Sequence, residues 1–167
     1  MFNVIKNAIK KVSVFLLVST LAGLSFQTVT AAEAMKSSRA DDYAAIQSLI
    51  MKYAHVYDSR DIEGYVSIFT DDAHFTFGGG EMNGSKEIRE FITRVANGPA
   101  PTTITHHVIT NTLIEFVSDT EAHHKSYWEM VSGPQGGPFT VNGIGIYDDV
   151  VVKQNGEWRI KTRNIPN

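Results

Sequence analysis

The chain has no cysteine among its 167 residues. That excludes disulfides, thiolate nucleophiles and cysteine-based zinc sites. Charge of one sign is also scarce. Fifteen Lys and Arg stand against 18 Asp and Glu, a formal net charge of −3, and no basic run follows the N-terminal segment. No nucleic-acid partner is expected from this balance. Internal repeats and low-complexity segments are missing too. A chain of this length can build one domain with a sizeable core, but not two.

The N-terminus has the pattern of a targeting signal. Lys6, Lys10 and Lys11 form a positive segment, and Val12 to Leu24 is an apolar stretch too short for a comfortable membrane span. Thr30-Ala31-Ala32 and Ala32-Glu33-Ala34 both fit a small-residue cleavage site. Residues 1–34 are expected to be a signal peptide and 35–167 the functional domain. The mature protein would be secreted or periplasmic, with no stable membrane anchor after processing.

Beyond the signal, helices come first. Ile46, Leu49, Ile50, Tyr53, Ala54 and Tyr57 recur at helical spacing and predict a helix over 42–58, with Asp41 as a possible cap. Asp61 can cap a short second helix carrying Ile62, Tyr65, Ile68 and Phe69. A strand over 73–77, a Gly78-Gly79-Gly80 turn, a short return over 81–83 and a third helix over 86–96 follow. Three or four long strands are then predicted, at about 104–117, 121–132, 139–153 and 157–164, the last two joined by an Asn155-Gly156 hairpin turn. This order argues for an α+β fold with helices on one face of a curved, mainly antiparallel sheet.

The turn at Asp119-Thr120 suggests a register. With those two residues as the loop, Trp128 lies opposite Asn111, Met130 opposite Ile109 and Ser126 opposite Leu113, and paired residues share a face. His107, Ile109, Asn111, Leu113, Trp128 and Met130 then face inward. A histidine and an asparagine among large apolar groups suit a ligand pocket, because buried polar groups need partners. The alternative for His107 is a core histidine satisfied by one bond. The pairs His106-His107 and His123-His124 are poor metal ligands, since strand neighbours point to opposite faces. No metal is expected, and His55 and His74 are expected at the surface or behind the site.

Several segments carry a resemblance. Ala54-His55-Val56-Tyr57-Asp58-Ser59-Arg60-Asp61 and Thr105-His106-His107-Val108 resemble scytalone dehydratase. Ala44-Ala45-Ile46-Gln47, Leu113-Ile114-Glu115-Phe116-Val117-Ser118, and His107 followed by Asn111 resemble hexachlorocyclohexane dehydrochlorinase. Asn155-Gly156-Glu157-Trp158-Arg159-Ile160 is similar to the closing hairpin of many relatives. The chain thus resembles the SnoaL-like, nuclear-transport-factor-two-like superfamily. That resemblance implies a cone-shaped α+β barrel, with three N-terminal helices packed on the curved sheet and a deep pocket at the open end. It implies a catalytic dyad of Asp58 and His107, with Tyr57 touching substrate and no cofactor. Phe77 and Ser132 stand where the dehydratase has a second tyrosine and a second histidine, so scytalone itself is not the expected substrate.

A neutral imidazole is a competent base near neutral pH, and a carboxylate on its other nitrogen fixes the tautomer. Asp58 would orient His107, His107 would remove a C–H proton, and Tyr53, Tyr57, Asn111 and Trp128 would bind the substrate. Asp58 has an alternative as a surface residue that ends its helix, where the dipole disfavours it. The expected function is a cofactor-free lyase, dehydratase-like, or an isomerase acting on a small hydrophobic molecule. A non-catalytic binding protein using the same pocket is the alternative. The outer sheet face would serve a homodimer or homotrimer.

Overall fold

The computed structural model describes residues 39–98 and 103–166. The chain divides into two units, Met1–Asp42 and Tyr43–Asn167. In the first, residues 39–42 are described and are helical, so Asp41 lies inside a helix and does not cap one. The expected signal peptide lies outside the described residues.

The second unit opens with helix α1, 43–58. Its apolar stripe is buried: Ile46, Leu49, Ile50, Tyr53 and Val56 all belong to the core. Burying side chains of this size contributes about 1.5–3 kcal/mol each. The helix stops in a Schellman motif. The Asp61 N–H donates to the Val56 carbonyl at 2.9 Å and the Arg60 N–H to the Tyr57 carbonyl at 3.0 Å, with Arg60 left-handed at φ 59°. Asp61 then caps α2 (Ile62–Ser67) by accepting from the Gly64 N–H at 2.9 Å.

Strand β1 (Phe69–Phe77) turns through Gly78 and Gly79 into β2 (Gly80–Asn83), which leads into α3 (Gly84–Ala96). Ile88 and Ile92 bury one side of α3. The rest is an antiparallel meander of β3 (Ile104–Phe116), β4 (Glu121–Gly133), β5 (Thr140–Gln154) and β6 (Glu157–Ile165). The elements expected from the sequence are present, with ends moved by a few residues; β1 starts at Phe69, which the sequence pattern had assigned to the second helix.

The sheet itself corrects the expectation. Its order is β2-β1-β6-β5-β4-β3, so β2 and β3 are its two edges and it does not close into a barrel. Nor is it strongly curled, so the cone-shaped barrel and curved sheet do not hold. The β1–β6 pairing is parallel, which makes the sheet mixed. Closure needs edge strands that can pair along their length, and here β2 has 4 residues against 13 in β3. The three helices pack on one face of this open, mixed sheet.

The β3–β4 register also departs from expectation. Val117 and Ser118 both donate to the Glu121 carbonyl, at 2.9 and 3.1 Å, so the loop spans 117–120 and Phe116 pairs with Ala122. A second shift falls between Thr110 and Leu113, where Asn111 is left-handed at φ 54°, the mark of a bulge. Trp128 therefore pairs with Ile109, Met130 with His107 and Lys125 with Leu113. Two one-residue slips restore the expected face for His107 and Ile109. A single slip reverses it for Leu113, which is 54% exposed.

Candidate active site

Asp58 is the last helical residue of α1, and His107 lies on the edge strand β3. The Asp58 carboxylate grips His107 twice. Its Oδ2 accepts the His107 backbone N–H at 2.9 Å, and its Oδ1 lies 2.6 Å from ring Nδ1. The first contact satisfies an edge-strand donor that no neighbouring strand can reach. The second fixes the tautomer: a carboxylate only accepts, so Nδ1 carries the hydrogen and Nε2 is left as the basic nitrogen of a neutral ring.

Burial opposes the charge on Asp58. The hydrogen bonds from the His107 ring and backbone, with the His107 and His106 imidazoles close by, outweigh it and hold the carboxyl below the usual carboxylate range. His106 Nδ1 is 3.7 Å from Asp58 Oδ2 on a side chain that is 68% exposed, whereas the His107 side chain is 8% exposed. Two open clefts meet at Asp58 and His106. One of about 460 Å³ is lined by His55, Asp58, His106, His107 and Ile109 among others. Another of about 540 Å³ is lined by Tyr57, Asp58, Arg60, His106 and Met130 among others.

Aromatic rings surround the imidazole on its other sides. Tyr57 meets it edge-on at 5.0 Å, Tyr53 at 6.4 Å, and Trp128 lies at 6.3 Å. Burial raises the Tyr57 hydroxyl, Tyr53 and Asp58 add to this, and Arg60 opposes it. The phenol thus stays protonated and able to donate. The Arg60 guanidinium donates to the Ala96 and Gly98 carbonyls at 3.3 and 3.2 Å, tying the end of α1 to the end of α3. Of the residues singled out in the sequence, Asp58, His107, Tyr53, Tyr57 and Trp128 come together. Tyr53 is buried and neither it nor Trp128 lines the clefts. Asn111 does not join them: it is exposed at the bulge. His55 and His74 are exposed, and His74 meets Glu81 at 3.3 Å. Among the described residues no three His, Asp or Glu side chains gather as a metal set.

A second cluster was not among the expectations from the sequence. His124 Nδ1 lies 2.8 Å from Asp149 Oδ2, and Arg163 holds both Asp149 oxygens, Nε at 2.8 Å and Nη2 at 2.7 Å. All three side chains are fully buried. The guanidinium is stacked between the Tyr53 and Tyr147 rings, at 4.0 and 4.1 Å. The available signal was alternation along β5, where Asp149 falls in phase with the buried Tyr147 and Val151.

An α+β domain with an open mixed sheet, helices on one face and a histidine–aspartate pair at the end of the first helix defines a class of small-molecule domains. The SnoaL-like domain model matches residues 38–164, and the chain belongs to that family. Its fold is that of solved relatives. A Mycobacterium tuberculosis protein of unknown function, solved as an Asp-to-Asn variant, is 28% identical with a TM-score of 0.68, over 78% of this chain and 74% of that one. LinA is 24% identical with a TM-score of 0.66, over 78% and 88%. ActVI-ORFA from Streptomyces coelicolor is 20% identical with a TM-score of 0.67, over 74% and 95%. Among curated proteins none matches. The buried His–Asp pairs and the family are consistent with a cofactor-independent enzyme acting on a small molecule.

Proposed function

We propose that the protein is a lyase of the dehydratase type, or an isomerase, acting on a small hydrophobic molecule with an acidic C–H bond. The observation that carries this is the 2.6 Å contact from Asp58 to His107 Nδ1 beside an open cleft. Asp58 holds the ring and stabilises the imidazolium. His107 Nε2 takes a proton from carbon, and the C–H electron pair becomes the new double bond as the bond to a neighbouring hydroxyl breaks. The imidazolium returns its proton to the departing oxygen as water, and His107 is neutral again. Tyr57 donates a hydrogen bond to the carbonyl or the leaving group. Base catalysis of this kind supplies about 10²–10⁴-fold, the remainder coming from positioning.

The test uses a cyclic β-hydroxyketone, whose dehydration gives a conjugated enone absorbing in the near ultraviolet. Turnover by the parent and its loss in His107→Ala and Asp58→Asn are the expected results. Saturable binding without turnover, by parent and variants alike, would leave a non-catalytic binding protein instead.

Two further properties belong to this proposal. Residues 1–34 direct export, and a mature chain whose mass includes Met1 would refute that. Among the described residues no helix is long and apolar enough to cross a membrane. A second copy covers the outer sheet face, where Val108, Tyr127, Ile144 and Ile146 are 40%, 53%, 74% and 39% exposed on three adjacent strands. Sedimentation of a monomer at micromolar concentration would rule this out.

A further inference from the structure

Gly143 and Gly145 stand on β5 opposite Met130 and Trp128 of β4. Glycine inside a long strand weakens it and often marks the close approach of another group to the backbone. Here that group is the Trp128 indole. A Cβ placed on Gly145 would lie 2.7 Å from indole Cε2, Cζ2 and Nε1, and one on Gly143 would lie 3.2 Å from Cζ3. Carbon atoms need about 3.5–4.0 Å. The indole therefore lies across two bare α-carbons, and Gly145 in particular has no room for a side chain while the ring stays there.

The ring has few ways to move. Tyr147, two residues along β5, stacks on the same indole at 5.9 Å with 20° between planes. Tyr147 in turn rests on the Arg163 guanidinium, which Asp149 pins in place. A displaced indole is blocked on the Tyr147 side and leaves the sheet toward the interior, where the His107 ring stands 6.3 Å away.

We propose that Gly145 is a specificity-determining position. Its missing side chain seats Trp128 against the sheet, in ring contact with His107 from behind the cleft that His107 lines, and so sets how far the imidazole stands into that cleft and the size of ring a ligand can bring to it. This rests on the small-molecule site proposed above. A methyl group at 145 pushes the indole toward the imidazole and narrows that cleft without itself touching Asp58 or His107.

The experiment uses the full chain carrying Trp158→Phe, which leaves Trp128 as the one tryptophan of the two in the sequence. In that background Gly145→Ala is expected to shift the Trp128 emission maximum, raise its quenching by acrylamide and move the His107 ring-proton resonances. Adding Trp128→Phe returns the His107 resonances toward the parent. Binding of 2-naphthol falls about tenfold or more relative to phenol in Gly145→Ala, the scale of an overpacked site. Unchanged emission, quenching and His107 resonances in a folded Gly145→Ala overturn the proposal, as does an unchanged ratio of naphthol to phenol binding. Should Gly145→Ala fail to fold, folding of Gly145→Ala/Trp128→Phe supports the contact. Failure of both means that the position acts through the backbone, and the proposal falls. If the parent binds neither phenol nor 2-naphthol, the small-molecule site itself falls, a result distinct from a bound pair of probes with an unaltered ratio.

Discussion

Two histidine–aspartate pairs of almost equal geometry occupy this domain, His107–Asp58 at 2.6 Å and His124–Asp149 at 2.8 Å. Their surroundings give them different work. The inner pair sits on the central strands β4 and β5 with no exposure, and Arg163 takes both oxygens of its carboxylate. That carboxylate is already neutralised, and the pair is sealed from any substrate. The outer pair joins a helix end to an edge strand beside two clefts, with the exposed His106 ring 3.7 Å from its carboxylate. Its carboxylate is left to act on one imidazole. On the proposed function, chemistry follows from what is withheld from Asp58, and stability from what is supplied to Asp149.

Breaking the inner pair has the largest expected effect. Arg163→Met leaves a fully buried carboxylate without its counter-charge, and Asp149→Ala strands the guanidinium. Each is expected to cost about 3–5 kcal/mol of stability, the usual range for removing one partner of a buried pair. Denaturant titration measures this, and a loss below about 1 kcal/mol would mean that the network does not hold the core together. The outer pair should invert the pattern. His107→Ala is expected to lower turnover about 10²–10⁴-fold, and Asp58→Asn is expected to do the same by releasing the tautomer. Neither should cost more than about 1–2 kcal/mol of stability. A His107→Ala protein that unfolds without having been catalytic would erase the distinction.

The outer pair was legible in the sequence and the inner one was not. Asp58 and His107 were visible because a family resemblance pointed to both and an assumed hairpin register turned His107 inward, whereas helix position alone left Asp58 open to a surface role. The phase at His107 survived by cancellation: the loop at 117–120 and the bulge at Asn111 each moved the register by one. The same errors hid His124. With Asp119-Thr120 as the loop it would face Glu115, whereas it pairs with Ile114 on β3 and Asp149 on β5. Arg163 gave no signal, because a buried arginine on a short closing strand reads as a surface residue until its partner is known. The order of elements implied α+β, but strand order and the parallel β1–β6 ladder depend on contacts remote in sequence, and there the expectation of a closed barrel failed.

Acid separates the pairs by a smaller margin. Both carboxyls lie below the usual range, each against the cost of burial. Asp149 is held there by the Arg163 charge and hydrogen bonds and by His124, and Asp58 by His107 and His106. The unfolded chain then binds more protons than the folded one as pH falls through the ordinary aspartate value of about 3.9. The stabilisation is complete above that value and is lost below it, as pH falls through the depressed folded values. Stability should therefore drop on acidification. The drop should be shallower in both Asp149→Asn and Asp58→Asn, and more so in Asp149→Asn, because no solvent screens the fully buried Asp149 from its partners. Equal acid limbs in the two variants would show that Asp149 is no more strongly linked to folding than Asp58.

The bulge at Asn111 is the hinge between the two regions, and it should tolerate change best. Asn111 turns β3 so that His107 faces Asp58 on one side and Ile114 stands opposite His124 on the other. Its left-handed φ of 54° is what the position demands, and its exposed side chain reaches neither pair. Asn111→Gly keeps that backbone at no steric cost, with an expected stability change of a few tenths of a kcal/mol and unchanged turnover. Asn111→Ala should cost about 1 kcal/mol, because a Cβ is strained there. Thermal denaturation of both variants checks the stability, and the enone assay checks the site. A large loss of turnover in a stable Asn111→Gly protein would make the amide a ligand-binding group after all.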